Sequence, residues 1–225
     1  MSEQKQTEPE TKPVKKVQQR QPATQPCALY SFLQVVCGFL MKWLVPVHFH
    51  YPERAQLQAP FIIIGNHLSL ADPVILAVLV KKQQIAFMAK AELSKAGWFK
   101  GIALKFHAIF VNRHQSDMEA MRTSLRALKN GEILGIFPEG TRYHEGLMEQ
   151  QEAGAAMIAL RSGVPMVPVY LSGKLRLFRP IHCYVGETIP MDDLREEGIN
   201  KVTCQKLMER ITARYAEMKA AVEAK

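Results

Sequence analysis

The stretch FIIIGNHLSLADP, residues 61–73, contains the signal that decides the fold class. Its first four residues are large and apolar, which is typical of a short strand that is buried on both faces. Asp72-Pro73 near its end predicts the start of a helix, because Asp suits the N-cap and Pro suits the first turn. A buried strand, a polar loop and a helix in this order indicate an α/β unit, in which functional residues follow the carboxyl end of the strand.

The same alternation continues along the chain. Short apolar runs predict further strands over residues 85–89, 108–111, 133–137, 166–171 and 181–185. Helices are predicted from the Ser116/Glu119 capping box to Gly131, over residues 153–162 before Gly163, and through the amphipathic stretch after Asn200. We therefore predict a single α/β domain over residues 46–225, with a largely parallel or mixed central sheet flanked by helices.

Two segments of different character precede this domain. Residues 1–26 contain almost no large apolar side chains, so they are predicted to be a disordered basic tail. Residues 27–45 are mostly apolar and end near Lys42 and Trp43, side chains that suit a lipid–water interface. This length is borderline for a membrane span, which needs about 17–20 apolar residues. We predict a membrane-interfacial helix in one leaflet; a helix packed on the domain and a spanning helix are the alternatives.

The overall charge indicates an anionic partner. Lys and Arg number 29 and Asp and Glu number 21, which gives a net charge of +8. Phosphates, a lipid surface or nucleic acid would each suit this charge. Nucleic acid is not expected as a partner, because the chain lacks interleaved basic and aromatic stripes and any recognisable binding motif.

Metal-binding signals are also lacking in the sequence. The four cysteines include no C-x-x-C pair and are expected to be reduced, and no H-E-x-x-H motif occurs. His48 and His50 would share one face of a strand, a pattern more typical of a solvated strand than of a metal pair. We therefore expect no metal site.

His67 and Asp72 are the first candidate for chemistry. A His exchanges protons near neutral pH, and a carboxylate on its other ring nitrogen fixes the tautomer and stabilises the imidazolium. A five-residue turn could bring the two side chains together, but a loop histidine beside a helix N-cap fits the same spacing. Ser69 is an alternative nucleophile with His67 as its base, although G-x-S-x-G is absent and two residues of separation are awkward for a direct bond.

Two further strand ends carry polar or basic residues. FPEGTR, residues 137–142, follows a predicted strand and combines a Gly140 turn with Arg142, whose planar guanidinium matches phosphate oxygens. Glu139 could hold that Arg or a substrate hydroxyl; a surface turn with a local Glu–Arg pair is the alternative. Arg113 follows another predicted strand and would make a shared anion pocket plausible, with Lys90 as a weaker cationic candidate.

Together these residues resemble one family. Asn66-His67-x-x-x-x-Asp72, IFVNR (109–113), FPEGTR (137–142) and VPV (167–169) resemble, in order and spacing, the four sequence blocks of the glycerolipid acyltransferases. The 1-acyl-sn-glycerol-3-phosphate acyltransferases of the PlsC type are the most similar members. The resemblance spans roughly residues 46 to 190, and FPEGTR is its most specific part. It implies a glycerol-3-phosphate acyltransferase-like fold for residues 46–225.

The resemblance also implies a reaction and its participants. A fatty acyl group would pass from an acyl thioester to the sn-2 hydroxyl of 1-acyl-sn-glycerol 3-phosphate, giving phosphatidic acid in phospholipid biosynthesis. The donor would be acyl-CoA or acyl-acyl carrier protein, so coenzyme A or acyl carrier protein enters only as the carrier. No metal or prosthetic cofactor is expected. The expected location is the cytoplasmic face of the cell membrane, with residues 27–45 on the membrane surface.

Roles for individual residues follow from the same resemblance. His67 would be the general base and Asp72 would orient it. The other residues form a phosphate-binding group and a pair on the acyl side, respectively Arg113, Glu139, Gly140, Thr141 and Arg142, and Val167 and Pro168. Asn66, Ser69 and Lys90 are possible additional site residues.

Two departures from the family pattern affect these expectations. His107 stands where the family often has Gly, which would alter the pocket or simply be repacked. Residues 150–154 read QQEAG, without the Lys that the family often carries before the helix glycine. Another lysophospholipid or a lyso-aminolipid therefore remains an alternative acceptor. A non-catalytic membrane lipid-binding protein of the same fold is an alternative of a different class.

Overall fold

The computed structural model describes residues 26–92, 101, 103–111, 118–139 and 153–223. The described residues form one seven-stranded sheet with the order β1-β7-β6-β2-β5-β3-β4. The strands are β1 (Val47–His50), β2 (Ile62–Gly65), β3 (Ile85–Lys90), β4 (Ile109–Val111), β5 (Ile133–Ile136), β6 (Met166–Leu171) and β7 (Ile181–Val185).

Helices connect and cover these strands. They are α1 (Ala28–Trp43), α2 (Asp72–Leu79), α3 (Met118–Lys129), α4 (Ala153–Ser162), α5 (Asp192–Glu196) and α6 (Lys201–Glu223), with a 3-10 turn over Pro52–Ala55. Gly131 and Gly163 follow α3 and α4 in the left-handed conformation, with φ of 80° and 65°, which is how a glycine commonly ends a helix. Both predicted helix ends are thus confirmed. Ser116 of the predicted capping box lies outside the described residues, as do residues 1–25 of the predicted tail.

The sheet is mixed. Strands β6, β2, β5, β3 and β4 are mutually parallel, whereas β7 is antiparallel to β6 and β1 is parallel to β7. The predicted α/β domain with a largely parallel or mixed sheet is therefore confirmed. Because these five strands run in one direction, their carboxyl ends lie at a single edge of the sheet, which we call the carboxyl edge.

The core has two halves, one on each face of the sheet. Ile62 and Ile64 of β2 pack with α3, α4 and α6, whereas Ile63 packs with α2 and with Met41 of α1. All three isoleucines are fully buried, and each contributes about 1.5–3 kcal/mol through burial of apolar surface. This alternation confirms a β2 strand that is buried on both faces and holds its carboxyl end rigidly at the centre of the sheet.

Candidate active site

The first candidate residues lie where β2 and β5 end side by side. Ile64 of β2 pairs with Ile136 of β5, so the loops that begin after these strands are neighbours. The backbone N–H of His67 donates to Glu139 Oε2 at 3.2 Å. The structure thereby brings together two of the sequence blocks that lie about seventy residues apart.

His67 and Asp72 form a direct pair in this loop. Asp72 Oδ2 lies 2.9 Å from His67 Nδ1. The Asp72 side chain is fully buried, and 14% of the His67 side chain remains exposed. Since Asp72 accepts a hydrogen bond from Nδ1, the other ring nitrogen, Nε2, is the one that can take up a proton.

Asp72 is held by several donors besides His67. Its Oδ2 accepts the backbone N–H groups of Leu68 at 2.6 Å and Ser69 at 2.7 Å, and its Oδ1 accepts the Ser69 hydroxyl at 2.7 Å. Such charge-assisted hydrogen bonds stabilise the buried carboxylate. The predicted N-cap role is wrong: α2 begins at Asp72 after Ala71, and no side chain caps it. The carboxylate turns back over its own loop because the donors lie there.

Ser69 has its hydroxyl engaged by this network. It donates to Asp72 Oδ1 and accepts the Ala71 N–H at 3.2 Å. Within the described part of the chain it has no hydrogen bond with the His67 ring. The geometry therefore favours a positioning role for Ser69 and offers no support for a nucleophile activated by His67.

The imidazole of His67 rests on an aromatic surface. The Phe137 ring stacks on it with centroids 4.4 Å apart, and Phe87 lies 6.1 Å from Phe137 in a nearly parallel orientation. Sequence reasoning assigned neither phenylalanine to the site. Phe137 opens the FPEGTR block, which was the available signal, whereas nothing in the β3 sequence distinguishes Phe87 from a core residue.

Asn66 and Glu139 are buried side chains that hold the loop after β2 through hydrogen bonds. Asn66 is buried and makes two side-chain hydrogen bonds to the backbone of Leu171, at the end of β6. Glu139 is buried too, and its carboxylate holds the His67 backbone. Both contacts fix the position of the His67 backbone, so Asn66 acts as a positioning residue in this structure.

The predicted cationic groups are described only in part. Lys90, the last residue of β3, lies at the carboxyl edge and is ion-paired with Glu92 at 3.3 Å. Arg113, Gly140, Thr141 and Arg142 lie outside the described residues.

Val167 and Pro168 occupy the middle of β6. Val167 is fully buried in the core half that contains α2. Pro168 pairs with Ile64 of β2, and its carbonyl accepts the N–H of Gly186 at 2.9 Å. Both residues contribute to the packing of the sheet; their expected place on the acyl side stays a prediction.

The remaining histidines of interest lie elsewhere. His48 and His50 are on β1, where their rings pack against His182 of β7, and His50 Nε2 lies 2.9 Å from His182 Nδ1. Among the described residues, no group of three His, Cys, Asp or Glu side chains is arranged to hold a metal ion.

His107 lies near the amino ends of the parallel strands, opposite the carboxyl edge that carries His67. It precedes β4, adopts a left-handed φ of 57°, and places Nδ1 2.9 Å from Glu132 Oε2. A glycine would adopt this left-handed conformation without the steric cost that His107 bears.

Comparison with known proteins places this arrangement in a family. The family model described as Acyltransferase matches residues 46–172, more than half of the chain. The 1-acyl-sn-glycerol-3-phosphate acyltransferase of Bacillus subtilis is 31% identical over 145 residues, which cover 64% of this chain and 72% of the relative. The Borreliella burgdorferi protein of the same name is 31% identical over 146 residues, covering 63% of this chain and 58% of its own length.

A solved structure shares the fold. The crystal structure of the 1-acyl-sn-glycerophosphate acyltransferase PlsC from Thermotoga maritima aligns with a TM-score of 0.62 and 24% identity, covering 85% of this chain and 79% of that one. The region 46–172 that matches the family model contains the β6 residues and also His67, Asp72 and Glu139, which follow the carboxyl ends of β2 and β5. From the family match and this geometry it follows that the chain belongs to the Acyltransferase family.

Proposed function

We propose that this chain transfers a fatty acyl group from an acyl thioester to the sn-2 hydroxyl of 1-acyl-sn-glycerol 3-phosphate. The observation that carries the proposal is the His67–Asp72 pair, with Nδ1 held by a buried carboxylate and the ring partly exposed at the carboxyl edge. The names of the relatives from Bacillus subtilis and Borreliella burgdorferi support the choice of acceptor.

The proposed chemistry uses His67 first as a base and then as an acid. Nε2 removes the proton of the acceptor hydroxyl while the hydroxyl oxygen bonds to the thioester carbonyl carbon. The tetrahedral intermediate then loses the thiolate by cleavage of the C–S bond, and the imidazolium returns the proton to sulfur. Asp72 stabilises the imidazolium between the two steps. A positioned base of this kind contributes roughly 10²–10⁴ in rate, and no metal or prosthetic group enters the scheme.

The phosphate of the acceptor requires cationic partners. Arg113, two residues after the end of β4, and Arg142, three residues after Glu139, are the groups that we assign to it, together with Gly140 and Thr141. A guanidinium offers paired donors that match phosphate oxygens. The absence of a Lys in residues 150–154 keeps another lysophospholipid or a lyso-aminolipid as the second candidate acceptor.

The membrane surface is the proposed location, on the cytoplasmic face where acyl thioesters are available. Support comes from α1, which presents exposed Phe32, Val35, Phe39 and Trp43 on one side. Its other side is tied to the domain by the Gln34 side chain, which donates to two carbonyls in and after α2. No described helix is both long and apolar enough to cross a bilayer. An exposed apolar face of this kind suits a helix lying in one leaflet.

The decisive experiment is an acyl-transfer assay on the purified full chain. It should cross 1-acyl-sn-glycerol 3-phosphate, glycerol 3-phosphate and a lyso-aminolipid with acyl-CoA and with acyl-acyl carrier protein. We expect the first acceptor to be preferred. His67→Ala should lower its rate by roughly 10²–10⁴, whereas His48→Ala, an exposed histidine of β1, should leave it unchanged.

Different outcomes separate the alternatives. A folded His67→Ala protein with the wild-type rate would rule out this base. A preference for the lyso-aminolipid would transfer the proposal to the second acceptor. Saturable lipid binding without transfer from either donor would identify a non-catalytic lipid-binding protein.

A further inference from the structure

The connection between β6 and β7 ends in a tight turn with an unusual tip. Arg176 and Arg179 form an antiparallel bridge, and the Arg179 N–H donates to the Arg176 carbonyl at 3.3 Å. Leu177 and Phe178 lie between them at the tip, with 62% and 72% of their surfaces exposed. We call residues 176–179 the hairpin tip.

Stability of the fold alone does not account for a phenylalanine at position 178. Its φ is 55°, the left-handed conformation that this place in a turn normally gives to Gly or Asn. For a bulky aromatic residue such a conformation is a genuine outlier. The side chain therefore costs backbone strain and exposes a large apolar ring, and it gains little burial against the described residues in return.

The hairpin tip lies beside α1 and at the carboxyl edge. The Phe178 N–H donates to the carbonyl of Leu44, directly after α1, at 2.9 Å. Trp43 and Leu44 are exposed there, so the apolar surface of α1 continues onto the hairpin tip. The hairpin follows the carboxyl end of β6, where Asn66 joins Leu171 next to His67.

The charge around the tip is entirely positive. Residues 172–180 include Lys174, Arg176 and Arg179 and no acidic residue. Neither Arg176 nor Arg179 forms an ion pair with a residue in the described part of the chain. Apolar side chains flanked by guanidinium groups are complementary to a bilayer that contains anionic lipids.

We propose that the hairpin tip is a second membrane contact, in which Leu177 and Phe178 enter the headgroup layer of an anionic bilayer and Arg176 and Arg179 bind lipid phosphates. With α1 it makes a two-point contact that turns the carboxyl edge, and with it His67, towards the lipid. This orientation rests on the proposed function, but binding of the hairpin tip to lipid does not.

Vesicle binding tests the proposal directly. The full chain would be floated with vesicles of phosphatidylcholine alone and of phosphatidylcholine with phosphatidylglycerol. Phe178→Gly should keep or improve thermal stability, because Gly relieves the strained turn, yet weaken binding to anionic vesicles roughly tenfold. Val202→Ser is the matched control, since Val202 is 59% exposed on α6, in the helix layer opposite α1 and α2.

A second variant tests the charges. Arg176→Gln with Arg179→Gln should weaken binding to the anionic vesicles only, and reduce its salt dependence. Wild-type binding by Phe178→Gly would overturn the proposal. If, in addition, the wild-type chain sediments as a dimer and Phe178→Gly as a monomer, the hairpin tip is a contact between two copies.

Acyl transfer distinguishes this proposal from the proposed function. Phe178→Gly should have the wild-type rate on detergent-dispersed substrate and a reduced rate on substrate embedded in vesicles. A chain that transfers no acyl group at all would refute the proposed function and leave the vesicle-binding result as the test of the hairpin tip.

Discussion

Asn66 and Leu171 are joined by two hydrogen bonds across the carboxyl edge of the sheet. Asn66 Nδ2 donates to the Leu171 carbonyl at 3.0 Å, and the Leu171 N–H donates to Asn66 Oδ1 at 2.7 Å. The pair ties the residue before His67 to the end of β6. The position of the His67 imidazole therefore depends on the side chain of its neighbour Asn66, which itself need not touch substrate.

Asn66→Asp tests this dependence with almost no change in size. The carboxylate keeps the acceptor for Leu171 N–H but places an oxygen against the Leu171 carbonyl in a buried position, which should cost about 1–3 kcal/mol of unfolding free energy. We expect a lower melting temperature and a fall in kcat that exceeds any change in KM. Asn200→Asp is the control, because the exposed Asn200 uses Oδ1 as an acceptor at the start of α6; equal effects of the two changes would contradict the positioning role.

Ser69→Ala separates positioning from nucleophilic catalysis. It removes one of the donors to Asp72 and leaves the Leu68 and Ser69 backbone N–H groups in place. We expect a loss of less than about tenfold in kcat, since one hydrogen bond to a charged group is worth roughly 1.5–3 kcal/mol and part of it is recovered by the remaining donors. Rapid-quench kinetics should show no acyl-enzyme in the wild type. Abolished transfer together with a burst of acyl-enzyme would establish Ser69 as the nucleophile.

Gly65→Ala probes the close packing beneath the imidazole. A Cβ on Gly65 would lie 3.1 Å from Phe137 Cε1 and 3.4 Å from Leu76 Cδ1, so the Phe137 ring must shift by a few tenths of an ångström. Because that ring stacks on His67, we expect kcat to fall roughly two- to tenfold with little loss of stability. Gly38→Ala, where the nearest atom is a Val78 methyl at 3.5 Å, should leave kcat unaltered. A normal kcat for Gly65→Ala would show that the ring position is unimportant.

The sequence was most informative about strands buried on both faces. The mostly apolar runs predicted β6 and β7 with the bounds that the structure has, because strands that are buried at nearly every position carry few polar residues. Local sequence patterns did not predict the direction of β7 or the pairing of β1 with β7. The β1 sequence VHFH contains two histidines, and its place depends on contacts with residues over 130 positions away.

The site was predictable in its residues more than in its contacts. The five-residue spacing allowed His67 and Asp72 to meet, but it equally allowed Asp72 to cap α2. The choice is made by backbone N–H groups of the loop, which no residue pattern specifies. The stacking of Phe137 on His67 likewise arises from the pairing of β2 with β5, a long-range contact that periodicity does not predict.

His107 and Glu132 provide a test of how the chain tolerates a departure from its family. Replacing His107 by Gly relieves the left-handed φ of 57° but leaves the buried Glu132 carboxylate without its imidazole partner. We expect the second effect to dominate, with a net loss of about 1–3 kcal/mol in unfolding free energy. Adding Glu132→Gln should recover part of this loss, and kcat should stay normal because the pair lies away from the carboxyl edge. Additive effects of the two changes in a double-mutant cycle would show that the pair is not coupled.

The buried Tyr30 makes the attachment of α1 to the domain sensitive to alkaline pH. Burial raises the pKa of Tyr30 to about 12, more than the hydrogen bond from the Ile85 N–H lowers it. The neutral phenol is thus favoured in the folded chain. Its contribution to the free energy of unfolding is therefore complete below about pH 10 and is lost as the pH rises through about 12. The loss should approach roughly 2–3 kcal/mol.

Chemical denaturation between pH 8 and 12 checks this expectation, and Tyr30→Phe is the informative variant. It should lower the stability near neutral pH by about 0.5–1.5 kcal/mol, since the Ile85 N–H loses its acceptor, and it should flatten the alkaline decline. Tyr215 is also buried with a raised pKa, so Tyr215→Phe measures the share of the decline that arises from α6. If the decline is unchanged in Tyr30→Phe, the attachment of α1 does not depend on a neutral phenol at its buried face.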